Sequence, residues 1–339
     1  MATLPGRLRF QNTPVGGLSG ISYDRGSGSY LVISDDPSER SPARVYRMNV
    51  ALQDGRLEDS GLHITGLITL RRADGTAYPR DTIDPEGIAV ARDGTFYVSS
   101  EGNARIGIAP FVRHFAVDGR MLGEMPIPQR FLPGRGRATG IRQNKGFEAL
   151  TLTPDGKRLI VGTESALRQD GPADSLSESS PARLLVFDTG GARELGEYVY
   201  TVARVSNAPT SPKGLKVKGL SELLALDDSH LLALERAFVE GHGNSVQLEQ
   251  IDLASADDVS RVDSLRDIAP GPRRPVGKRT LLDFSTLPAP IDNFEGMTLG
   301  PALPHGRRLL LVISDNNFNW ITQLTEVLAF AAKIRSSSR

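Results

Sequence analysis

The sequence predicts an all-β protein folded as a single β-propeller of five four-stranded blades. Five hairpin segments with the same plan recur along the 339 residues, and their starts lie about 60 to 75 residues apart. Each segment joins two runs rich in β-forming residues through a tight turn. Similar segments at a near-regular interval are typical of repeat architectures, and four-stranded units closed into a ring make a propeller.

The clearest hairpin runs from Glu148 to Thr163 and turns at Pro154-Asp-Gly156. A carboxylate stands at each open end, Glu148 before the first strand and Glu164 after the second, and antiparallel pairing makes these positions neighbours. The other four segments are Gly17–Asp35, Asp84–Glu101, Gly219–Glu235 and Asn293–Asp315.

Further β-forming runs complete the blades, two each for blades one to four and one for blade five. They are Arg44–Val50 with His63–Leu70, Arg113–Val117 with Gly119–Pro126, Arg183–Phe187 with Glu197–Val202, Ser245–Ile251 with Lys278–Phe284, and Glu326–Phe330. Blade five therefore lacks a strand, and Arg7–Gln11 is predicted to supply it and close the ring. These assignments predict tails at 1–6 and 333–339 around a propeller spanning 7–332. A sixth, irregular blade within a long segment is the alternative.

Composition excludes several classes of function. Forty basic and forty acidic residues give no net charge to attract nucleic acid. No stretch approaches the ~20 apolar residues needed for membrane insertion, and the absence of cysteine excludes disulfides and thiolate metal sites. The first residues lack the apolar core of a secretory signal, although a removed signal would leave the same sequence. We expect a monomer with a small-molecule partner.

The hairpin carboxylates form two predicted rings on the face that also carries the long loops, where function is usually found. Glu86, Glu148, Glu222 and Glu295 form one ring, with Ser19 in blade one, and Asp35, Glu101, Glu164, Glu235 and Asp315 form the other. Crowded like charges need compensation, and these oxygen ligands, with Asn316, suit Ca²⁺. The alternative is that the acids pair with Arg105, Arg168, Arg236 and Lys145 or cap backbone amides.

Two loops beside these rings offer groups for an anionic substrate. The predicted substrate-binding residues are Arg135, Arg137, Arg142, Lys145, Gln169 and Asp170. Arginine suits phosphate because its guanidinium donates two parallel hydrogen bonds. The alternatives are a solvated loop for the arginines and an ordinary turn at Asp170-Gly171.

Several motifs together resemble the phytase-like domain family, whose members are labelled "esterase-like activity of phytase family protein". They are Asp84-Pro-Glu-Gly87, Gly146–Ala149 with Thr163–Ser165, Gln169–Gly171, Asn293–Gly296 and Ser314–Phe318. The resemblance covers about Leu8 to Phe330 and implies a β-propeller, ester hydrolysis, and a periplasmic or secreted protein whose export signal has been removed. More distant β-propeller phytases bind several calcium ions and hold phosphate with basic residues.

The leading prediction is a Ca²⁺-dependent hydrolase of a small anionic ester, most simply a phosphate ester. Glu148 or Glu222 would act as general base, and Arg168, Arg236 or Arg142 would stabilise developing negative charge. One alternative is a lactonase-type propeller, which would share the metal site. Another is a non-catalytic ligand-binding propeller with a structural cation.

Overall fold

The computed structural model describes residues 1–134, 138–266 and 274–334. Its N-terminal strands are β1 (Ala2–Leu4), β2 (Arg9–Phe10) and β3 (Thr13–Pro14). Blade one contains β4 (Gly20–Asp24), β5 (Ser29–Ile33), β6 (Arg44–Gln53) and β7 (Arg56–Thr69). Blade two contains β8 (Pro85–Val90), β9 (Phe96–Ser100), β10 (Phe111–Phe115) and β11 (Met121–Glu124).

The remaining blades follow in chain order, with short 3₁₀ turns at Gln129–Phe131 and Phe284–Thr286. Blade three contains β12 (Phe147–Leu152), β13 (Arg158–Thr163), β14 (Ser180–Asp188) and β15 (Arg193–Val202). Blade four contains β16 (Lys216–Ala225), β17 (His230–Val239), β18 (Gly243–Asp252) and β19 (Gly277–Asp283). Blade five contains β20 (Phe294–Leu303), β21 (Arg307–Ser314) and β22 (Thr325–Ala332).

The five antiparallel sheets confirm the predicted propeller of five four-stranded blades. Within each blade, consecutive strands are hydrogen-bonded neighbours. The first strands of the five blades, β4, β8, β12, β16 and β20, each contact the first strands of both neighbouring blades. These inner strands therefore surround a central channel, and apolar side chains packed between adjacent sheets form the core.

The strand beside the last blade lies earlier in the chain than predicted. β1 pairs with β22, with Ala2 opposite Val327 and Leu4 opposite Thr325. The predicted strand Arg7–Gln11 is wrong, because Arg9–Phe10 pairs instead with Thr13–Pro14 in a separate hairpin. Ala2 and Leu4 are buried, so this short strand adds apolar contacts to the blade as well as hydrogen bonds.

Two buried arginines hold long loops against the blades. Arg44 and Arg183 each end the sequence Ser-Pro-Ala-Arg and lie near the start of a third strand. Arg44 Nη1 contacts Asp36 Oδ2 at 2.7 Å, and Arg183 Nε contacts Asp170 Oδ2 at 2.6 Å. Buried and fully hydrogen-bonded pairs of this kind fix the loops in one arrangement.

Candidate active site at one end of the channel

β-Bulges place glutamates at the start of three inner strands. In blade three, Phe147 pairs with Thr163 and Ala149 with Gly162, which leaves Glu148 outside the ladder. Glu295 in blade five is bulged in the same way, and Glu86 lies in the corresponding irregularity of blade two. A bulge redirects the side chain of its extra residue, so these three glutamates share a position at one end of the channel.

A backbone hydrogen bond places a second acid beside each of these positions. The amides of Asp35, Glu101, Glu164 and Asp315 donate to the carbonyls of Gly17, Asp84, Gly146 and Asn293, at 2.7, 3.0, 2.9 and 2.9 Å. Each accepting residue lies two positions before Ser19 or a bulged glutamate. The predicted rings are therefore correctly aligned in blades one, two, three and five.

Blade four differs from the predicted alignment by one residue. Leu220 pairs with Glu235 and Glu222 with Leu234, so the bulged residue is Ser221. Gly219 pairs with Arg236. Blade four therefore contributes Ser221 and Arg236 to the rings, where the sequence comparison had placed Glu222 and Glu235.

Glu235 and Glu222 make other contacts. Glu235 accepts a hydrogen bond from the Tyr200 hydroxyl at 2.8 Å and forms ion pairs with Lys218 and Lys278. Glu222 Oε1 accepts the amides of Leu150 at 3.2 Å and Leu223 at 2.9 Å. Glu222 thus joins the inner strands of blades three and four, at a position where the other blades have glycine or alanine.

The carboxylates that do meet form what we call the carboxylate cluster: Asp35, Asp84, Glu86, Glu101, Glu148, Glu164, Glu295 and Asp315. Two groups within it bring one oxygen from each of three acids to within 4.8 Å of one another, namely Asp84, Glu86 and Glu101, and Glu101, Glu148 and Glu164. Glu101 belongs to both groups. The sequence comparison did not select Asp84 as a ligand, although it occupies the same repeat position as the polar Asn293.

Burial and repulsion between neighbouring acids raise the pKa values of Asp35, Asp84, Glu86, Glu101, Glu148 and Asp315 in the carboxylate cluster. Burial and the nearby charges of Glu295 and Asp84 raise the pKa of Asp35 to about 8. Burial followed by the charge of Asp81 raises the pKa of Asp84 to about 7, and burial with the charge of Asp84 raises that of Glu101 to about 8. The pKa values of Glu86, Glu148 and Asp315 lie well above their usual range for the same two reasons.

Two cationic side chains reach into the carboxylate cluster. Arg236 Nη2 lies 2.7 Å from Glu295 Oε1 and 3.7 Å from Glu164 Oε1. Lys145 Nζ lies 3.0 Å from Glu164 Oε1 and 3.2 Å from Asp174 Oδ1. Burial lowers the pKa of Arg236, but Glu295 and Glu164 more than reverse this, so the guanidinium stays charged. Among the described residues, two cations therefore face eight carboxyl groups, which leaves room for further positive charge.

Several predicted binding residues instead support the surrounding loops. Arg142 donates to the carbonyls of Ala166 at 3.0 Å and Gly171 at 2.6 Å. Gln169 accepts the Gly140 amide at 2.9 Å. Asp170 accepts a hydrogen bond from Arg183 Nε. Asn316 Oδ1 accepts hydrogen bonds from the amides of Gly17 and Phe318, each at 3.0 Å.

Arg168 donates its Nε to the Ile141 carbonyl at 3.3 Å, and its side chain is half-buried near Arg142. Arg135 and Arg137 lie outside the described residues. These contacts fix the shape of the loops that carry Arg142, Gln169, Asp170 and Asn316. Substrate or metal binding by these residues or by Arg168 stays a prediction.

Comparison with known proteins gives one family and a few distant likenesses. The family described as "Phytase-like: Esterase-like activity of phytase" matches residues 13–318. An "Uncharacterized secreted protein" of Arthroderma benhamiae is 30% identical over 221 residues, which cover 57% of this chain and 41% of that protein. The chain thus matches less than half the length of this relative.

The solved structures that match this chain have lower sequence identities. Kuenenia stuttgartiensis hydrazine synthase is 14% identical with a TM-score of 0.37, covering 96% of this chain and 67% of that chain. A Dyadobacter fermentans protein of unknown function is 12% identical with a TM-score of 0.39, covering 93% and 83%. Among the described residues, no helix is long and apolar enough to span a membrane.

The contacts of Glu222 predict that its side chain stabilises the folded protein. Glu222→Ala would leave the buried Leu150 and Leu223 amides without an acceptor, at a cost of about 1–3 kcal/mol for each amide. Glu222→Gln keeps an acceptor oxygen and should unfold close to wild type in a urea titration. The matched variant Glu148→Gln, within the carboxylate cluster, should not destabilise EDTA-treated protein. Equal stability of the Glu222→Ala variant and wild type would contradict this role.

The raised carboxyl pKa values predict a pH-dependent loss of stability in EDTA. Asp35, Asp84 and Glu101 titrate at about 8, 7 and 8 when folded but near 4 when unfolded. The folded state therefore binds more protons between these limits, so stability is greatest below about pH 4 for these groups and falls up to about pH 8. Thermal unfolding from pH 5 to 8 should show a decreasing Tm, with a shallower slope in Asp35→Asn. A flat profile would mean that these acids are already ionised and paired.

Proposed function

This chain belongs to the Phytase-like family, and on that premise we propose that it is a cation-dependent hydrolase of small esters. The family supports a propeller of the hydrolase type. The observation that carries the proposal is the carboxylate cluster at one end of the channel, where Arg236 pairs with Glu295 and Lys145 with Glu164 while Asp84, Glu86 and Glu101 form a separate group of acids. A phosphate ester is the substrate class we favour.

The described residues fit a hard divalent cation. Ca²⁺ binds oxygen ligands at about 2.3–2.6 Å, so two of its ligands are at most about 5 Å apart. The oxygens of Asp84, Glu86 and Glu101 lie within 4.8 Å of one another and meet this limit. Burial and neighbouring acids raise the pKa values of these three side chains, and a bound cation would counteract both effects by stabilising the ionised carboxylates. We therefore assign Ca²⁺ to this group, with Glu101 shared by the neighbouring group.

The remaining groups divide the chemistry between them. A cation held by Asp84, Glu86 and Glu101 would polarise the ester oxygen and favour ionisation of water. Glu148 lies next to Glu101. Burial and neighbouring acids raise its pKa, and a bound cation would favour the ionised form that accepts a proton from the attacking water. We omit Glu222 from this role because its carboxylate already binds backbone amides.

Arg236 is the group best placed to stabilise negative charge on the reacting ester. It occupies the ring position held by an acid in each of the other four blades. Its Nη2 contacts Glu295, while its buried Nε has no partner among the described residues. A substrate phosphate beside blade four would meet this guanidinium and the neighbouring Lys145.

Glu101→Gln tests the proposal most directly, because this acid belongs to both carboxylate groups. EDTA-treated wild type should gain stability on adding Ca²⁺, by about 2.7 kcal/mol at a hundredfold excess over Kd. The variant should lose that gain together with Ca²⁺-dependent turnover of phosphate monoesters. Glu326→Gln is the control, since Glu326 is also buried with a raised pKa but lies in β22, where it forms part of blade five's outer pair with β1.

Three outcomes would contradict the proposal in different ways. If Glu101→Gln kept the full gain in stability on adding Ca²⁺, the assignment of Asp84, Glu86 and Glu101 as ligands would be wrong. Turnover of lactones but not phosphate esters would favour a lactonase at the same site. A Ca²⁺ shift with no turnover of phosphate esters, carboxylate esters or lactones would indicate a ligand-binding propeller with a structural cation.

We also propose that the protein acts in the periplasm or as a secreted protein. Its relative from Arthroderma benhamiae is described as secreted. Extracellular calcium sites typically work at about 10⁻⁴–10⁻³ M, a concentration available outside the cytosol. Fractionation of the source cells followed by immunoblotting should find the protein outside the cytoplasm, and its retention in the cytosolic fraction would overturn the assignment.

A further inference from the structure

The channel has a second end, opposite the carboxylate cluster, where the inner strands turn back into the second strands. A cavity here is lined by all five blades and has a volume of about 170 Å³. Its floor consists of one buried apolar side chain from each inner strand: Ile21, Ile88, Leu150, Leu223 and Met297. We call these five residues the apolar layer.

The exposed wall of the cavity is about equally polar and apolar. Three of its hydroxyl groups accept amides between blades: Ser22 accepts the Val90 amide at 3.0 Å, Thr151 the Ala225 amide at 3.0 Å and Thr298 the Tyr23 amide at 3.1 Å. Half-buried Leu152, Leu224 and Leu299 also line it. A ligand with an apolar body could lie over these three leucines, while its polar head reaches the polar part of the wall.

Positive charge surrounds the cavity. Arg25, Arg92 and Arg308 belong to its lining, and none of the described lining residues is acidic. Arg92 donates an Nη2 bond to the Pro154 carbonyl at 2.6 Å and Arg308 one to the Gly300 carbonyl at 2.7 Å, which leaves further donors on each guanidinium. Burial and the charge of Arg25 lower the pKa of Arg308, so these two cations repel each other.

The nearby turn acids are engaged in their own turns. Asp24 accepts the amide of Gly26, Asp93 that of Thr95, and Asp155 that of Lys157. Hydrogen bonds to the ionised form hold the pKa values of Asp93 and Asp155 below their usual range. These acids act as turn caps and do not line the cavity.

We propose that this arginine end of the channel is a binding site for a small organic anion with a short apolar body. A carboxylate head would lie between Arg25 and Arg308, whose guanidinium forks match carboxylate geometry. The body would extend over Leu152 and Leu224 to the apolar layer. An inorganic anion would contact only the arginines, and a neutral amphiphile would contact only the apolar part of the wall.

Titration calorimetry with octanoate tests this on the full chain, in EDTA and again in Ca²⁺. Octanoate should bind in both conditions, and about tenfold or more tighter than acetate or octan-1-ol, since each lacks one half of the recognised chemistry. In protein carrying ¹³C-methyl methionine, octanoate should shift the Met297 resonance, assigned through Met297→Leu. Equal affinity for octanoate and octan-1-ol, or an unmoved Met297 resonance, would overturn the proposal.

Charge variants locate the head group. Arg25→Gln should weaken octanoate binding about tenfold without changing Tm, because a charge-assisted hydrogen bond is lost from the site. Lys157→Gln is the matched control, as it removes one positive charge from the same face but outside the cavity lining. Arg308→Lys keeps the charge and a donor for Gly300 while losing the planar fork, so it should bind more weakly than wild type. Unchanged octanoate affinity in both arginine variants would refute the site.

Discussion

Mutual repulsion within the carboxylate cluster is the constraint on which the rest of the structure depends. Eight acids cannot occupy one channel end unless rigid backbone holds them there, and bulges at Glu86, Glu148 and Glu295 provide this. A Cβ atom at Gly17 or Gly219 would overlap the side chain of Asp35 or Glu164, so glycine is required beside the acids. Apolar packing between blades supplies the stability that such a site removes.

Blade four makes the distribution of charge around the carboxylate cluster uneven. Four blades place an acid at the end of the second strand, whereas blade four places Arg236 there and Ser221 at the bulge. A ring of identical acids would have no preferred side for an anionic substrate. Because Arg236 contacts Glu295 and approaches Glu164, the positive potential lies beside blades three to five. The proposed cation group, Asp84, Glu86 and Glu101, lies in blade two, so the two kinds of positive charge come from different sides of the channel.

Local sequence patterns were sufficient for the five blades but not for every ring position. Hairpin turns and alternating β-formers identify the inner strands, and the register follows directly where one glutamate precedes the strand. In blade four, Gly219-Leu-Ser-Glu222 admits two alignments, and the pairing of Gly219 with Arg236 decides between them. The shared Gly-Leu-Ser of Gly17–Ser19 was the signal for the correct choice. β1 could not be found locally, because three residues gain their partners only from the far end of the chain.

The two ends of the channel are built from different residues of the same inner strands. Three of the five strands carry a glutamate of the cluster at the start and the other two a serine, Ser19 or Ser221; an apolar-layer residue follows two positions later, and cavity-lining residues lie beyond it. Because a bulge interrupts the alternation of side chains at Glu86, Glu148 and Glu295, these acids and the apolar-layer residues are separated by position along the strand. Glu222 binds the amides of two apolar-layer residues, Leu150 and Leu223. A charge change at Arg25 should therefore leave the carboxylate cluster intact.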